Sequence, residues 1–253
     1  MRFERLAAVN YRGVPLSRVL GLVVLGNVVA VSGVAFLGRA PDSRASLLEG
    51  WIPLAACSLV FAVGLVDDLA PRGPRGIRAH LRGLASGHMT TGILKAMVVG
   101  AASIVTVAAL GQRSFLTEVA GVALLAASSN LWNGLDVLPG RAIKAFLAVA
   151  VFAPVTVSPW RIESIVGGAF LGASVSLWFD LRERAMLGDG GSNLLGFVIG
   201  LFLYEALPGW GVGLVASLMV GLNVAAETIT LSRMIEATPP LRWFDTLGRT
   251  RGG

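Results

Sequence analysis

Eight apolar runs divide this chain, each about long enough to cross a bilayer core and nearly free of charge. They are Arg18–Leu37, Trp51–Val66, Thr91–Leu110, Phe115–Asn130, Ala142–Val157, Ile162–Phe179, Ser192–Leu207 and Gly211–Leu231. A 253-residue chain that is 55% hydrophobic, 14% charged and has a mean hydropathy of +0.73 cannot hide that much apolar surface in one aqueous core. The expected fold is therefore all-α, a polytopic transmembrane bundle of about eight spans, with residues 1–253 forming one integral membrane domain. Glycine is frequent inside the runs, which suits helices packed closely in lipid. The single cysteine, Cys57, lies within a run, so it excludes an internal disulfide and reads as a small buried hydrophobe. Met1–Asn10 is short and mixed in charge, unlike a cleavable signal peptide.

Charge placement orients the runs. With the N-terminus cytoplasmic, the inner segments hold Arg2, Arg5, Arg12, Arg18, Arg72, Arg75, Arg78, Arg82, Lys95, Arg141, Lys144, Arg182, Arg184, Arg233, Arg242, Arg249 and Arg251. The outer segments hold only Arg39, Arg44, Arg113 and Arg161. This asymmetry is the positive-inside pattern, and losing or gaining one helix would scramble it. The net charge of +6 is thus gathered on one face, where anionic lipid accounts for it and no nucleic-acid partner is implied.

Three acidic clusters fall on that same face. Asp67 and Asp68 end the second run, Asn130-Leu-Trp-Asn-Gly-Leu-Asp136 ends the fourth, and Leu187-Gly-Asp-Gly-Gly-Ser-Asn193 opens the seventh. Adjacent carboxylates at a helix end are costly unless solvated, paired or bound to a cation. Carboxylate oxygens, water and substrate phosphate are the donor set that Mg²⁺ prefers. Asn130 and Asn133, three apart, are expected to share a helix face. The glycines around Asp189 leave backbone N–H groups open to an anion at a helix start. Each cluster alone is weak; three on one side of the membrane, facing basic residues, are harder to dismiss.

Gly64-x-x-Asp-Asp68, Asn130-x-x-Asn-x-x-Asp136 and Leu187-Gly-Asp-Gly-Gly-Ser-Asn-x-Leu-Gly196, in this order, resemble the signature of the polyprenyl-phosphate N-acetylhexosamine-1-phosphate transferases. That superfamily includes the phospho-N-acetylmuramoyl-pentapeptide transferase of peptidoglycan synthesis and the UDP-GlcNAc:undecaprenyl-phosphate transferases. The resemblance runs from the Asn10-Tyr-Arg-Gly segment to the region of Arg233. It implies a multi-pass enzyme of the inner cell membrane with a cytoplasmic site, acting in cell-envelope biogenesis. Such an enzyme moves a sugar-1-phosphate from a UDP-sugar to a polyprenyl phosphate and releases UMP, with Mg²⁺, or Mn²⁺ in its place, as cofactor. By the same resemblance Asp67 and Asp68 are catalytic, and Asp189, with Asp68, holds the metal. Asn133 and Asp136 match the nucleotide side of the site. Asn130, Lys95 and Ser192 complete the expected substrate-binding set, and a homodimer is expected by analogy.

The chain departs from the family pattern at Pro139, which stands where a second acidic residue is usual. The expected substitutes are Arg141 and Lys144, either binding the diphosphate or serving as positive-inside anchors. A His-rich loop near the last span is absent, and His80 and His88 do not make a zinc site. Relatives carry one more span before the Asn-Tyr-Arg-Gly segment. Asp180 and Glu183 are expected in a solvated loop or behind the site. Glu227 is expected within the last span, near the site or paired with Arg233. Two other readings stay open: a lipid-phosphate-binding scaffold with an altered site, and a secondary transporter, which should instead carry its charges near mid-bilayer.

Overall fold

Helices dominate the computed structural model, which describes residues 7–38, 44–70, 90–111, 113–152 and 162–249. In chain order they are α1 (Leu20–Leu37), α2 (Arg44–Leu69), α3 (Thr91–Leu110), α4 (Phe115–Leu135), α5 (Arg141–Ala150), α6 (Glu163–Leu181), α7 (Gly188–Ala206), α8 (Gly209–Ala226), α9 (Leu231–Ala237) and α10 (Pro239–Thr246). A small antiparallel hairpin, β1 (Ala7–Val9) and β2 (Pro15–Ser17), precedes them. Residues 71–89, with the inner arginines expected there and both histidines, lie outside the described residues.

The all-α membrane bundle is what the structure shows. Six helices, α1, α2 from Gly50 onward, α3, α4, α6 and α8, are long and apolar enough to cross a membrane. They lack a polar stripe because their outer faces meet hydrocarbon, not water. Leu22, Val29, Ile104, Leu214 and Leu218 are exposed on those faces. Polar caps set where two of them begin: the Thr90 and Ser114 hydroxyls accept the Ile93 and Thr117 N–H groups.

The other two runs behave differently. The fifth forms α5, of which the described part has ten residues. The seventh forms α7, which is buried along almost its whole length and touches α1, α2, α4, α5 and α6. Glycines let its neighbours approach. A Cβ on Gly200 would stand 2.7 Å from the Leu125 Cα of α4, and one on Gly64 of α2 would stand 2.6 Å from the Asp189 carbonyl. Gly168 and Gly172 of α6 do the same for α1, each 2.7 Å from a valine Cα, Val28 and Val24. Backbones this close gain dispersion contacts along their length, the contacts that hold helices together where both alternatives are apolar.

Two expected placements need correction. Asp180 is not in a solvated loop: it is buried in the last turn of α6, where its carboxylate accepts the Gly140 N–H at 2.7 Å. Glu227 does not lie within a span. α8 stops at Ala226, and Glu227 stands at its C-terminal cap in an exposed position.

The N-terminal segment covers the end of the bundle where the acidic clusters meet. Asn10 builds its turn, its side-chain oxygen accepting the N–H groups of Arg12 and Val14, both at 2.9 Å, while Gly13 takes φ +81°. Glu183, at φ +51°, is held from the same segment by Asn10 (2.7 Å), Tyr11 (3.2 Å) and Arg12 (3.3 Å). The Met186 N–H donates to the Ser17 carbonyl at 2.8 Å and closes the seam.

Candidate active site

Helix polarity gathers the site. α2 and α4 end, and α3 and α7 begin, at the same end of the bundle, so residues far apart in sequence meet there. At the centre stands Lys95, one turn into α3. Its ammonium lies 2.9 Å from Asp67 Oδ2 and 3.0 Å from Asp189 Oδ2. Asn133 of α4 joins them when its amide is turned to satisfy its neighbours. Its oxygen then accepts from Lys95 at 3.1 Å, and its nitrogen donates to Asp189 at 3.2 Å and Ser192 at 3.0 Å.

The carboxylates divide into two kinds. Asp68 and Asp136 are occupied by the protein itself. Asp68 accepts from Arg18 Nη1 through Oδ1 at 2.8 Å and from the Gly190 N–H through Oδ2 at 3.2 Å. Asp136, at the C-terminal cap of α4, stands near the Gly188 N–H, which favours its charged form. These N–H groups are the unpaired donors of the first turn of α7, and the helix dipole there favours negative charge. Burial, with Asp180, Asp189 and Asp68 nearby, pushes the Asp136 carboxyl well above the usual carboxylate range, against the pull of the Gly188 N–H. Asp67 and Asp189, by contrast, meet the side chains of Lys95, Thr91 and Asn133 and each other, and the Asp189 side chain is 36% exposed.

Gly188 makes this arrangement fit. It has φ +74°, and a Cβ there would stand 2.8 Å from Asp68 Oδ2. Ser192 and Asn193 then brace the turn: the Ser192 hydroxyl lies 2.9 Å from the Gly188 carbonyl, and Asn193 donates to the Asp189 carbonyl at 2.6 Å.

Of the expected site residues, Asp67, Asp68, Lys95, Asn133, Asp136, Asp189 and Ser192 are brought together. Asn130 is not. It is exposed and donates to Asn223 of α8 at 2.6 Å, because successive positions three apart drift around the helix toward a different neighbour. Nor do Arg141 and Lys144 present free cations to the cluster. Arg141 holds Asp245 of α10 through Nε at 2.8 Å and Nη2 at 3.0 Å. Lys144 donates to the carbonyls of Phe244, Asp245 and Leu247 at the C-terminal end of α10.

Arg18 was legible only as one more inner-face charge. Its part in the site comes from a contact fifty positions away in sequence, which no local pattern announces.

The geometry carries an excess of negative charge, which suits a divalent cation and, through it, a phosphate. Four carboxylates, Asp67, Asp68, Asp136 and Asp189, stand against two cations, Arg18 and Lys95, at a helix N-terminus. Among the described residues no group of three or more His, Cys, Asp or Glu side chains is arranged to enclose a metal ion. Mg²⁺ needs no such cage, because one or two carboxylates with water and substrate phosphate complete its shell. The open pair Asp67 and Asp189 fits that mode better than Asp68, whose two oxygens are taken.

No curated protein sequence matches the chain. The family model described as glycosyl transferase family 4 matches residues 51–206, more than half of its length, from α2 through α7. The match covers all three acidic clusters. The chain therefore belongs to glycosyl transferase family 4, the polyprenyl-phosphate hexosamine-1-phosphate transferases.

Proposed function

We propose that the protein transfers a sugar-1-phosphate from a UDP-sugar to a polyprenyl phosphate at the cytoplasmic face of the inner membrane, with Mg²⁺, and releases UMP. The observation that carries this reading is Lys95 bridging Asp67 and Asp189 beside the first turn of α7.

The reaction joins two anions. An oxygen of the lipid phosphate attacks the phosphorus that bears the sugar. The new P–O bond forms as the P–O bond to UMP breaks, and the electron pair leaves on UMP. Charge repulsion is the main obstacle, and fixed cations and N–H dipoles reduce it. In this chain Lys95 and Arg18 supply the cations, and the α7 N-terminus supplies the dipole. Asp67 is placed to take the last proton from the lipid phosphate, so that its oxygen attacks ionised. Asp189, with Asp67 beside it, would hold Mg²⁺, which when bound supplies further neutralisation of the diphosphate. Asp68 holds the first turn of α7 in place through the Gly190 N–H.

The test is incubation of the purified protein in nanodiscs with radiolabelled UDP-sugars, undecaprenyl phosphate and Mg²⁺. Label should move to the lipid with an equal amount of UMP released. No transfer from any UDP-sugar, with metal present, overturns the proposal.

A further inference from the structure

We infer that Arg249 is a positioning residue for the nucleotide side of the site: it ties the C-terminal helix to the turn that follows Asp136. The inference rests on the function proposed above and takes Asp136 as the nucleotide side of the site, as the resemblance implies.

The turn from Asp136 to Gly140 leads out of α4 and into α5. Its first residue is Asp136, the C-terminal cap of α4, so its conformation sets where that carboxylate stands. Pro139 weakens the turn's own means of support. Its ring has no N–H to donate and no polar side chain. Two outside groups hold the turn instead. Asp180 of α6 accepts the Gly140 N–H at 2.7 Å, where Gly140 takes φ +74°. Arg249 Nε donates to the Pro139 carbonyl at 3.1 Å.

Arg249 is itself fixed. Its Nη2 lies 2.6 Å from Asp245 Oδ1, one turn back along the chain. Asp245 is buried and also takes the paired hydrogen bonds of Arg141, which begins α5 directly after the turn. A third nitrogen of Arg141 reaches the Ser232 hydroxyl of α9 at 2.8 Å. Lys144 closes the end of α10 by donating to two of its carbonyls and to that of Leu247 just beyond it. The bonds form a ring: turn, Arg249, Asp245, Arg141 and back to the turn. Arg141, Lys144 and Asp245 would suffice to dock α10. The Arg249–Pro139 bond adds nothing to that docking that they lack, and its other end is the turn bearing Asp136.

The test compares Arg249→Gln and Arg249→Lys with the unmodified protein in nanodiscs, by steady-state kinetics and by amide hydrogen exchange. Arg249→Gln should raise the KM for the UDP-sugar about tenfold, as expected for loss of one charge-assisted hydrogen bond that orders the site. The kcat and the KM for undecaprenyl phosphate should change by less than about threefold. Exchange across residues 136–141 should quicken while α7 keeps its protection. Arg249→Lys, which retains the charge beside Asp245, should recover part of both effects, and it serves alone if the glutamine variant does not fold. Unchanged exchange in 136–141, with faster exchange only in 239–249, overturns the inference and leaves Arg249 as a C-terminal tether. Equal shifts in KM for both substrates overturn it too. Absence of transfer by the unmodified protein would sink the proposed function instead, and exchange alone would then decide the role of Arg249.

Discussion

Arg18 donates twice to Asp68, to its carboxylate at 2.8 Å and to its backbone carbonyl at 2.7 Å. The bonds join the entry to α1 with the last turn of α2 and leave the Asp68 side chain only 4% exposed. Neighbouring Asp67 turns the other way, to Lys95. Two adjacent carboxylates that look equivalent in sequence therefore have different surroundings and different duties.

Asp68→Asn should destabilise the fold by about 3 kcal/mol, because it leaves the Arg18 guanidinium without its anion in a largely buried place. Asp67→Asn should cost about 1 kcal/mol, as its side chain is more open, yet lower turnover the more steeply. Thermal unfolding and transferase assays on the two variants test this. Equal unfolding temperatures would remove the distinction.

Lys95→Met removes the one ammonium between Asp67 and Asp189. Without metal the variant should lose about 3 kcal/mol of stability, since two carboxylates then face each other uncompensated. Mg²⁺ should return part of the loss, and Asp189→Asn in the same background should abolish that rescue. Unfolding curves with and without Mg²⁺ read both effects. A Mg²⁺ response that survives Asp189→Asn would place the metal elsewhere.

Gly64→Ala adds one methyl where the new carbon would stand 2.6 Å from the Asp189 carbonyl. That atom is backbone and cannot swing aside, so α2 and α7 must separate. The expected loss is about 1–3 kcal/mol of stability, with turnover falling because Asp67 and Asp189 move apart. Gly100, with nothing near its missing side chain, is the control. Its alanine variant should behave as the unmodified protein does.

Asp245 makes the C-terminal docking pH-dependent. Burial disfavours its charged form, but the hydrogen bonds and charge of Arg141, then of Arg249, outweigh burial and hold the carboxyl below its usual range. A carboxylate lowered in this way contributes its stability fully above the unfolded pKa of about 4 and loses it as pH falls through the lower folded value. Stability from this source should be level between about pH 8 and about pH 5, then decline below about pH 4. Asp245→Asn should be the less stable by about 3 kcal/mol at neutral pH, with the gap closing in acid. A pH series of unfolding on both proteins checks the sign.

The inner-face placement can be read by labelling. In a Cys57→Ser background, single cysteines at Val137 and Arg182 should react with a membrane-impermeant thiol reagent from the cytoplasmic side, and one at Phe115 from the outside. All three positions are exposed. Labelling of Val137 and Phe115 from one side would overturn the topology on which the proposed function depends.

Much of this protein was present in its residues before any coordinates. Hydrocarbon accepts only helices whose backbone is paired within itself, so apolar runs of bilayer length already dictated an all-α bundle. Basic residues avoid the outer face, so alternation of charge put Asp67, Asp136 and Asp189 at one end. Asp189 among its glycines carried the helix-start chemistry in a stretch of seven residues. What local sequence could not decide was the partner of each charge. Arg18 with Asp68, Lys95 between Asp67 and Asp189, and Arg141 with Asp245 join positions dozens of residues apart. The pairings of Asp67 and Asp68 follow from how closely the glycines of α2 and α7 let those backbones approach, which is a property of packed backbones. Asn130, Arg141 and Lys144 were expected at the substrate for their type and spacing. Only the tertiary structure turned Asn130 toward α8 and gave the two cations to α10, because a buried charge goes to whichever counter-charge the fold brings within reach.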